Sequence, residues 1–216
     1  MSVRAIPKNY RNVTGLFASN KSVGVYFEST LERDFITTLE FDYAISSFDV
    51  QPLSVHWLDT ENKPRKYTPD VLVHYNQNMS PIIGINNVLY EVKYRSDIKK
   101  NWEDYKPKFK AAIKYAKQNN MRFKLITEYE IRTDYMENAR FLLPFLNIPL
   151  DANQEVLLIN QMKINRECSI DMLVKSIFND KWAQAELIPS LWHLIASRHI
   201  KTDLNFPLTM SSKIWL

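Results

Sequence analysis

Four residues carry the most specific chemistry in this 216-residue chain. Asp70 follows Pro69 in YTPDVLV, and Glu91 and Lys93 follow in YEVK. Successive strand side chains point to opposite faces. Glu91 and Lys93 therefore share a face, opposite Tyr90, Val92 and Tyr94. Two carboxylates converging on one point make a hard-oxygen site suited to Mg2+. A lysine beside them orients or deprotonates a water and offsets developing negative charge, which is equipment for phosphodiester hydrolysis. Glu32 supplies a third acid. On a wheel advancing about 100° per residue from Glu28, it falls near 40°, between Leu39 and Ile36. An acid inside an apolar arc is costly unless it has a partner. Two partners fit: a metal ion shared with Asp70 and Glu91, or a capping box in Ser29-Thr30-Leu31-Glu32. Taken singly, an E-x-K is often a solvated edge pair and a P-D a turn carboxylate. It is their combination on neighbouring strands, after an acidic helix, that favours catalysis.

The elements that must position these residues follow from periodicity. Residues 29–41 read as a helix with Leu31, Phe35, Ile36 and Leu39 on its apolar arc. Strand signals run over 45–58, interrupted at Gln51-Pro52, and again over 67–75 and 87–94. A helix is expected from about 104 to 118, because Pro107 belongs in a first turn. Its buried face holds Tyr105, Phe109, Ala112, Ile113 and Ala116. A strand at 122–127 and a closing helix at 138–146 complete an α/β unit, a mixed sheet flanked by helices. Residues 1–22, with Arg4, Lys8, Arg11 and Lys21, read as an arm. After Asn147-Ile148-Pro149 the pattern changes to three helices, at 154–162, 169–178 and 183–199, with Pro189 kinking or restarting the third. Two short strands around a turn close the chain, the layout of a winged helix. The expected division is a catalytic domain at 1–148 and a small winged-helix domain at 149–216.

Composition narrows the class. A single cysteine, Cys168, excludes a disulfide framework and a Cys-based zinc site. Three glycines leave no phosphate-cradling loop. No apolar run reaches membrane-spanning length, and the first twenty residues lack a signal-peptide core, so a cytoplasmic protein is expected. A net charge of +4 permits nucleic-acid binding without requiring it. Lys106, Lys110, Lys114 and Lys117 form one stripe that suits either a phosphate backbone or bulk water. Arg198, Lys201 and Lys213 gather near the third helix end and the hairpin, where a wing touches DNA or a protein partner. His193 and His199 read as structural or surface residues, and Trp182, Trp192 and Trp215 as core.

The segments GLFASNKSVGVYFESTLERDFITTLEFD, QP, YTPDVLV, YEVK and FKLITEYEI resemble TnsA, the endonuclease subunit of heteromeric bacterial transposases. The resemblance spans residues 15–131, and the carboxy-terminal layout agrees with it. It implies a restriction-endonuclease-like fold with a PD-(D/E)xK site. It also implies an Mg2+-dependent nuclease, with Mn2+ able to substitute, that cuts double-stranded DNA at the 5′ ends of the transposon. The partners implied are a DDE (TnsB-like) transposase subunit, which cuts the 3′ ends, and an AAA+ (TnsC-like) regulator docked through the carboxy-terminal region. By motif, the family's glutamate, aspartate and lysine fall on Glu32, Asp70 and Lys93. One well-studied member has glutamine where this chain has Glu91, a change that adds an anionic ligand. Two other readings remain: a stand-alone restriction or junction-resolving nuclease, and a non-catalytic DNA- or protein-binding adaptor. The complete set Glu32, Asp70, Glu91 and Lys93 argues against the adaptor.

Overall fold

The computed structural model describes residues 13–82 and 84–216. Arg4, Lys8 and Arg11 of the expected arm lie outside the described residues. The second half of that arm is ordered structure: β1 (Gly15–Phe17) pairs antiparallel with β2 (Val25–Phe27). Gly15 is needed there, since a Cβ would lie 2.6 Å from the Phe27 ring. Ser29 then caps α1 (Thr30–Phe41), its Oγ accepting the Glu32 N–H at 3.1 Å. Lys21 donates to the carbonyls of Leu39 and Asp42 at 3.0 and 2.5 Å, closing the other end of α1.

Among the described residues of this first unit, six strands and three α-helices follow. They are β3 (Ile45–Val50), β4 (Val55–Leu58), β5 (Pro64–Tyr67), β6 (Val71–Tyr75), β7 (Asn87–Val92), α2 (Arg95–Lys100), α3 (Trp102–Gln118), β8 (Arg122–Ile126) and α4 (Glu128–Ile131). The main sheet has the order β3-β6-β7-β8, with only β7 and β8 parallel, and β4 and β5 form a separate hairpin. The mixed sheet with flanking helices is the architecture expected from sequence.

Alternation along β7 sorts its side chains between two layers. Val88, Tyr90 and Val92 join Leu31, Phe35, Ile36 and Leu39 of α1 in one apolar cluster, with the Phe35 and Tyr90 rings 5.0 Å apart. Leu89 and Glu91 take the other face. Phe123 of β8, opposite Leu89, meets Phe109 of α3 on that face at 5.7 Å. β7 is thus covered on both sides, and Glu91 sits in the layer beneath α3.

Three expectations change here. The strand expected over 67–75 is broken: Tyr67 ends β5 against Val55, and Val71 opens β6 against Val50. Pro69 cannot donate to a ladder, while Asp70 is held by its N–H on Tyr90 O and its carbonyl on Gln51 N–H, at 3.1 and 2.8 Å. The helix expected from 104 starts at Trp102, so Pro107 lies inside α3 rather than in its first turn. Ile113 is exposed, not part of the buried face.

The described residues fall into two compact units, the first ending at Ile131 and the second beginning at Arg132. The second comprises α5 (Asp134–Leu142), a tight helical turn, α6 (Ala152–Asn165), β9 (Glu167–Ser169), α7 (Ile170–Ile177), α8 (Lys181–Ala196), β10 (Lys201–Thr202) and β11 (Lys213–Trp215). Thr133, Asp151, Ser169 and Asp180 cap its four helices with side-chain oxygens. Strand β11 lies between β10 and β9, antiparallel to both. The division thus falls earlier than residue 149, and the reason is Asn138 on α5. Its amide donates to the carbonyls of Leu204 and Phe206 at 2.9 and 2.8 Å and accepts the Leu208 N–H at 3.1 Å. Helix α8 runs through Pro189 without a restart. Trp192 is core, but Trp182 is 82% exposed.

Candidate active site

Asp70 lies between the two strands that surround it in sequence, and its backbone bonds to both the end of β3 and to β7 fix its side chain. Its Oδ2 accepts the Val92 N–H at 2.7 Å and lies 3.3 Å from Lys93 Nζ. Its Oδ1 takes no hydrogen bond from any described residue. Lys93 Nζ also lies 3.1 Å from Glu91 Oε1 and donates to the Val92 carbonyl at 3.0 Å. One ammonium thus bridges the two carboxylates of the P-D…E-x-K motif. This places Asp70, Glu91 and Lys93 together as their spacing suggested.

Glu32 makes the forward half of the capping box, its N–H bonded to Ser29 Oγ at 3.1 Å, but its carboxylate returns to the Glu28 N–H at 2.8 Å and the Ser29 hydroxyl at 3.0 Å rather than to the Ser29 N–H. It also lines the same cleft as Asp70 and Lys93, a depression of about 740 Å³ walled further by Gln51, Trp57 and Lys66. The cap and the cleft position are therefore compatible, and the residue serves both. Gln51, with φ of 46°, turns the chain sharply after β3, and its amide donates to Glu28 at 3.1 Å, bracing the cleft wall.

Glu91 is 1% exposed and sits behind the cleft wall. Its two oxygens are already engaged. Tyr67 donates to Oε2 at 2.5 Å, and Lys108 Nζ joins Lys93 on Oε1 at 3.5 Å. Lys108 is also cradled by rings, 4.2 Å from the Tyr105 centroid and 5.0 Å from that of Tyr67. The sequence reading named neither Tyr67 nor Lys108. The available signal was the place of Lys108 at the rim of the α3 apolar arc, three residues after Tyr105 and four before Ala112.

The electrostatics report an excess of negative charge. Burial, and then the charge of Asp70, push Glu32 up to about 7. The same two causes push Glu91 up to about 7 despite two lysines and a tyrosine hydroxyl. For Lys93, burial pulls downward, but Asp70, Glu91 and Glu32 outweigh it and raise the amine above its ordinary value. Acids and base alike hold their protons more tightly, the mark of a site short of positive charge.

That donor set suits a divalent cation: hard carboxylate oxygens, mutual repulsion, and an ammonium already drawn between two of them. Among the described residues, however, no group of three or more His, Cys, Asp or Glu lies close enough to hold an ion. Asp70 and Glu91 are the two carboxylates that Lys93 bridges, and Glu32 lines the cleft beside Asp70 without completing a cage.

The proposed DNA contacts are more dispersed. Lys110, Lys114 and Lys117 are exposed on α3, away from its buried residues, and Lys106 is half-buried, 3.9 Å from Glu103. In the second unit Lys201 is exposed, Arg198 has φ of 66° just after α8, and Lys213 is paired with Glu167 at 2.5 Å. His193 donates to the Phe145 carbonyl at 2.9 Å, a structural role, and His199 is exposed.

Two family models match in succession, "TnsA-like endonuclease N terminal" over residues 42–128 and "TnsA endonuclease C terminal" over residues 130–204. The chain belongs to the TnsA endonuclease family. It is therefore a transposase endonuclease subunit of a Tn7-type system, a nuclease acting with DNA and other subunits. Asp70, Glu91 and Lys93 fall within the first match, and Glu32 lies ahead of it. The change of model between 128 and 130 agrees with the division at Ile131 rather than with one at 149. No curated protein matches the chain. Among the described residues no helix is long and apolar enough to cross a membrane.

Proposed function

We propose that this TnsA-family chain cuts the 5′ ends of its transposon by Mg2+-dependent hydrolysis, Mn2+ substituting, with Asp70, Glu91, Lys93 and Glu32 as the site. The observation that carries the reading is Lys93 Nζ drawn between Asp70 Oδ2 and Glu91 Oε1 at 3.3 and 3.1 Å. A divalent cation on those carboxylates would acidify a water and neutralise the charge of the reacting phosphate. Asp70 and Glu91 would hold the cation, and Lys93, between them, would be free to offer its ammonium to the scissile phosphate. From there the ammonium can orient a water and steady developing negative charge. Asp70 keeps its orientation through the Val92 N–H, and Glu32 adds negative charge at the rim. Lys66 lines the same cleft and suits a polyanionic occupant.

The second unit has the order helix, strand, two helices, two strands from α6 onward, which fits a winged helix used for assembly. We assign it to docking an AAA+ regulator, and Arg198, Lys201 and the α3 lysines to DNA beside a DDE transposase subunit. The deciding experiment is strand-specific cleavage of a transposon-end duplex, with and without the partner subunits and with Mg2+ or EDTA. Metal- and partner-dependent 5′ cutting supports the reading. Cutting without partners would favour a stand-alone nuclease, and binding with no cutting in any condition would favour an adaptor.

A further inference from the structure

Glu91 poses a problem that the motif does not. An acid 1% exposed, taken as a metal ligand, already has both oxygens bonded. Lys93 cannot be the bond that fixes it, because Lys93 must be free to face phosphate. The remaining partners come from two other elements. Tyr67 ends β5 and reaches Oε2; Lys108 lies on α3 and reaches Oε1. Lys108 is itself held: its side chain is 20% exposed, its ammonium lies over the Tyr105, Tyr67 and Phe109 rings at 4.2, 5.0 and 5.4 Å, and it has the buried carboxylate as counter-ion. Lys93 is hardly more exposed, at 23%, and both lysines line the cleft; what sets Lys108 apart is the set of rings that holds its ammonium against Glu91.

We propose that Tyr67 and Lys108 are positioning residues, a clamp that holds the Glu91 carboxylate in place and supplies its standing positive charge, so that Lys93 is released from Glu91 when a divalent cation binds. The two lysines then divide the work: Lys108 serves the protein, and Lys93 serves the phosphate. This rests on the nuclease reading of the cleft. Groups that orient a ligating carboxylate affect metal affinity as strongly as they affect rate, roughly 10- to 100-fold. The clamp therefore predicts a change in metal dependence, which loss of packing alone does not.

The test is MgCl2 and MnCl2 titration of the full chain, read first as the metal-induced rise in melting temperature. It is read second as the metal concentration giving half-maximal cleavage in the reconstituted transposase. Lys108→Met keeps the aliphatic stem against the rings. It is expected to raise the half-saturating metal concentration roughly tenfold or more and to shrink the melting shift. Lys108→Arg, which retains the charge, is expected to recover part of both. Tyr67→Phe, which deletes one hydroxyl, shifts metal dependence in the same direction and stands in should Lys108→Met fail to fold. Wild-type metal dependence in folded Lys108→Met or Tyr67→Phe overturns the clamp. Lys93→Ala is the control that separates the two ideas. Near-normal cutting by Lys93→Ala would sink the nuclease centre itself, whereas loss of cutting there beside normal metal dependence in the clamp variants sinks only the clamp.

Discussion

Among the described residues, the first unit buries charged side chains beside neutral Thr37, Gln51 and Thr127, and the second buries neutral polar side chains alone. In the first, Asp34, Glu40 and Glu91 are buried carboxylates, and Lys93 is largely enclosed beside Glu91. In the second, the buried polar side chains among the described residues are Asn138 and Ser190, both neutral. Asn138 is satisfied by three main-chain partners, and Ser190 donates to Gln154 at 2.5 Å. A neutral amide with every bond made rigidifies a fold at little electrostatic cost. Buried charge is costly to desolvate and is kept where a pairing or a reaction requires it. Not all of it is chemical: Glu40 accepts from Ser19 Oγ and the Asn20 N–H at 2.5 and 2.8 Å, fastening the segment before β2 to α1. What distinguishes the Glu91 cluster is that its charges do not balance, as the upward shifts of Glu32, Glu91 and Lys93 show.

The sharpest way to break this contrast is Lys93→Ala. If the first unit is built for chemistry, 5′-strand cutting falls by about 10²–10³-fold, the scale for losing one group that stabilises developing charge. The variant is expected to fold, since Lys93 faces the cleft and lies outside the apolar clusters. Single-turnover cleavage in the reconstituted system gives the ratio, and a rate within a few-fold of wild type would remove Lys93 from the site.

In the second unit the corresponding variant is Asn138→Ala. It strands the buried Leu204 carbonyl and the partly buried Phe206 carbonyl and Leu208 N–H, so a loss of about 1–3 kcal/mol is expected in denaturant unfolding. The metal-induced melting shift should survive it. A loss of metal response in Asn138→Ala would mean that the two units do not divide structure from chemistry as their buried groups suggest.

Acid pH tests the charge imbalance directly. Glu32 and Glu91 hold protons more tightly folded than unfolded, about 7 against an ordinary 4.5. Deprotonation across that interval therefore removes stability, and the metal-free protein should melt higher near about pH 5.5 than near about pH 8. Lys93, raised above its ordinary value, stays charged throughout and adds no slope there. Mg2+ should narrow the difference, because it supplies the missing positive charge at the higher pH. A metal-free melting temperature that rises from about pH 5.5 to 8 would contradict the assignment.

The smallest effect is expected from Glu32→Gln in stability, and it is informative for that reason. The amide oxygen can keep one of the two bonds, from the Glu28 N–H or the Ser29 hydroxyl, which go to different carboxylate oxygens, so the cap loses about 1 kcal/mol. The pH slope should flatten, the metal-induced shift shrink and cutting fail. An unchanged metal shift with normal cutting would leave Glu32 as a cap alone.

Much of the site was legible because its signals are local. Period-two alternation places Glu91 and Lys93 on one face whatever surrounds the strand. A serine three residues before Glu32 announces a helix start, and the structure makes that cap. The broken strand at Thr68–Asp70 was not legible, because what holds Asp70 is the Tyr90 carbonyl and the Gln51 N–H, both remote in sequence. The end of the first unit was misplaced for a similar reason. The segment 138–146 reads as a helix, but only the carbonyls of Leu204 and Phe206 show which core it serves. Trp182 illustrates the limit of composition, since an aromatic residue in an apolar helix can still face water.

The sequence by itself determined the types of element, the pairing of Glu91 with Lys93, and the basic stripe on α3, because each depends on backbone period alone. Tertiary structure alone decided that Lys108 and Tyr67 meet Glu91, that Glu32 lines the cleft while still capping its helix, and that α5 belongs to the second unit. Those facts depend on strand register and on how α3 packs over the sheet. A shift of one residue in either would leave the local patterns intact and send the same side chains to different partners.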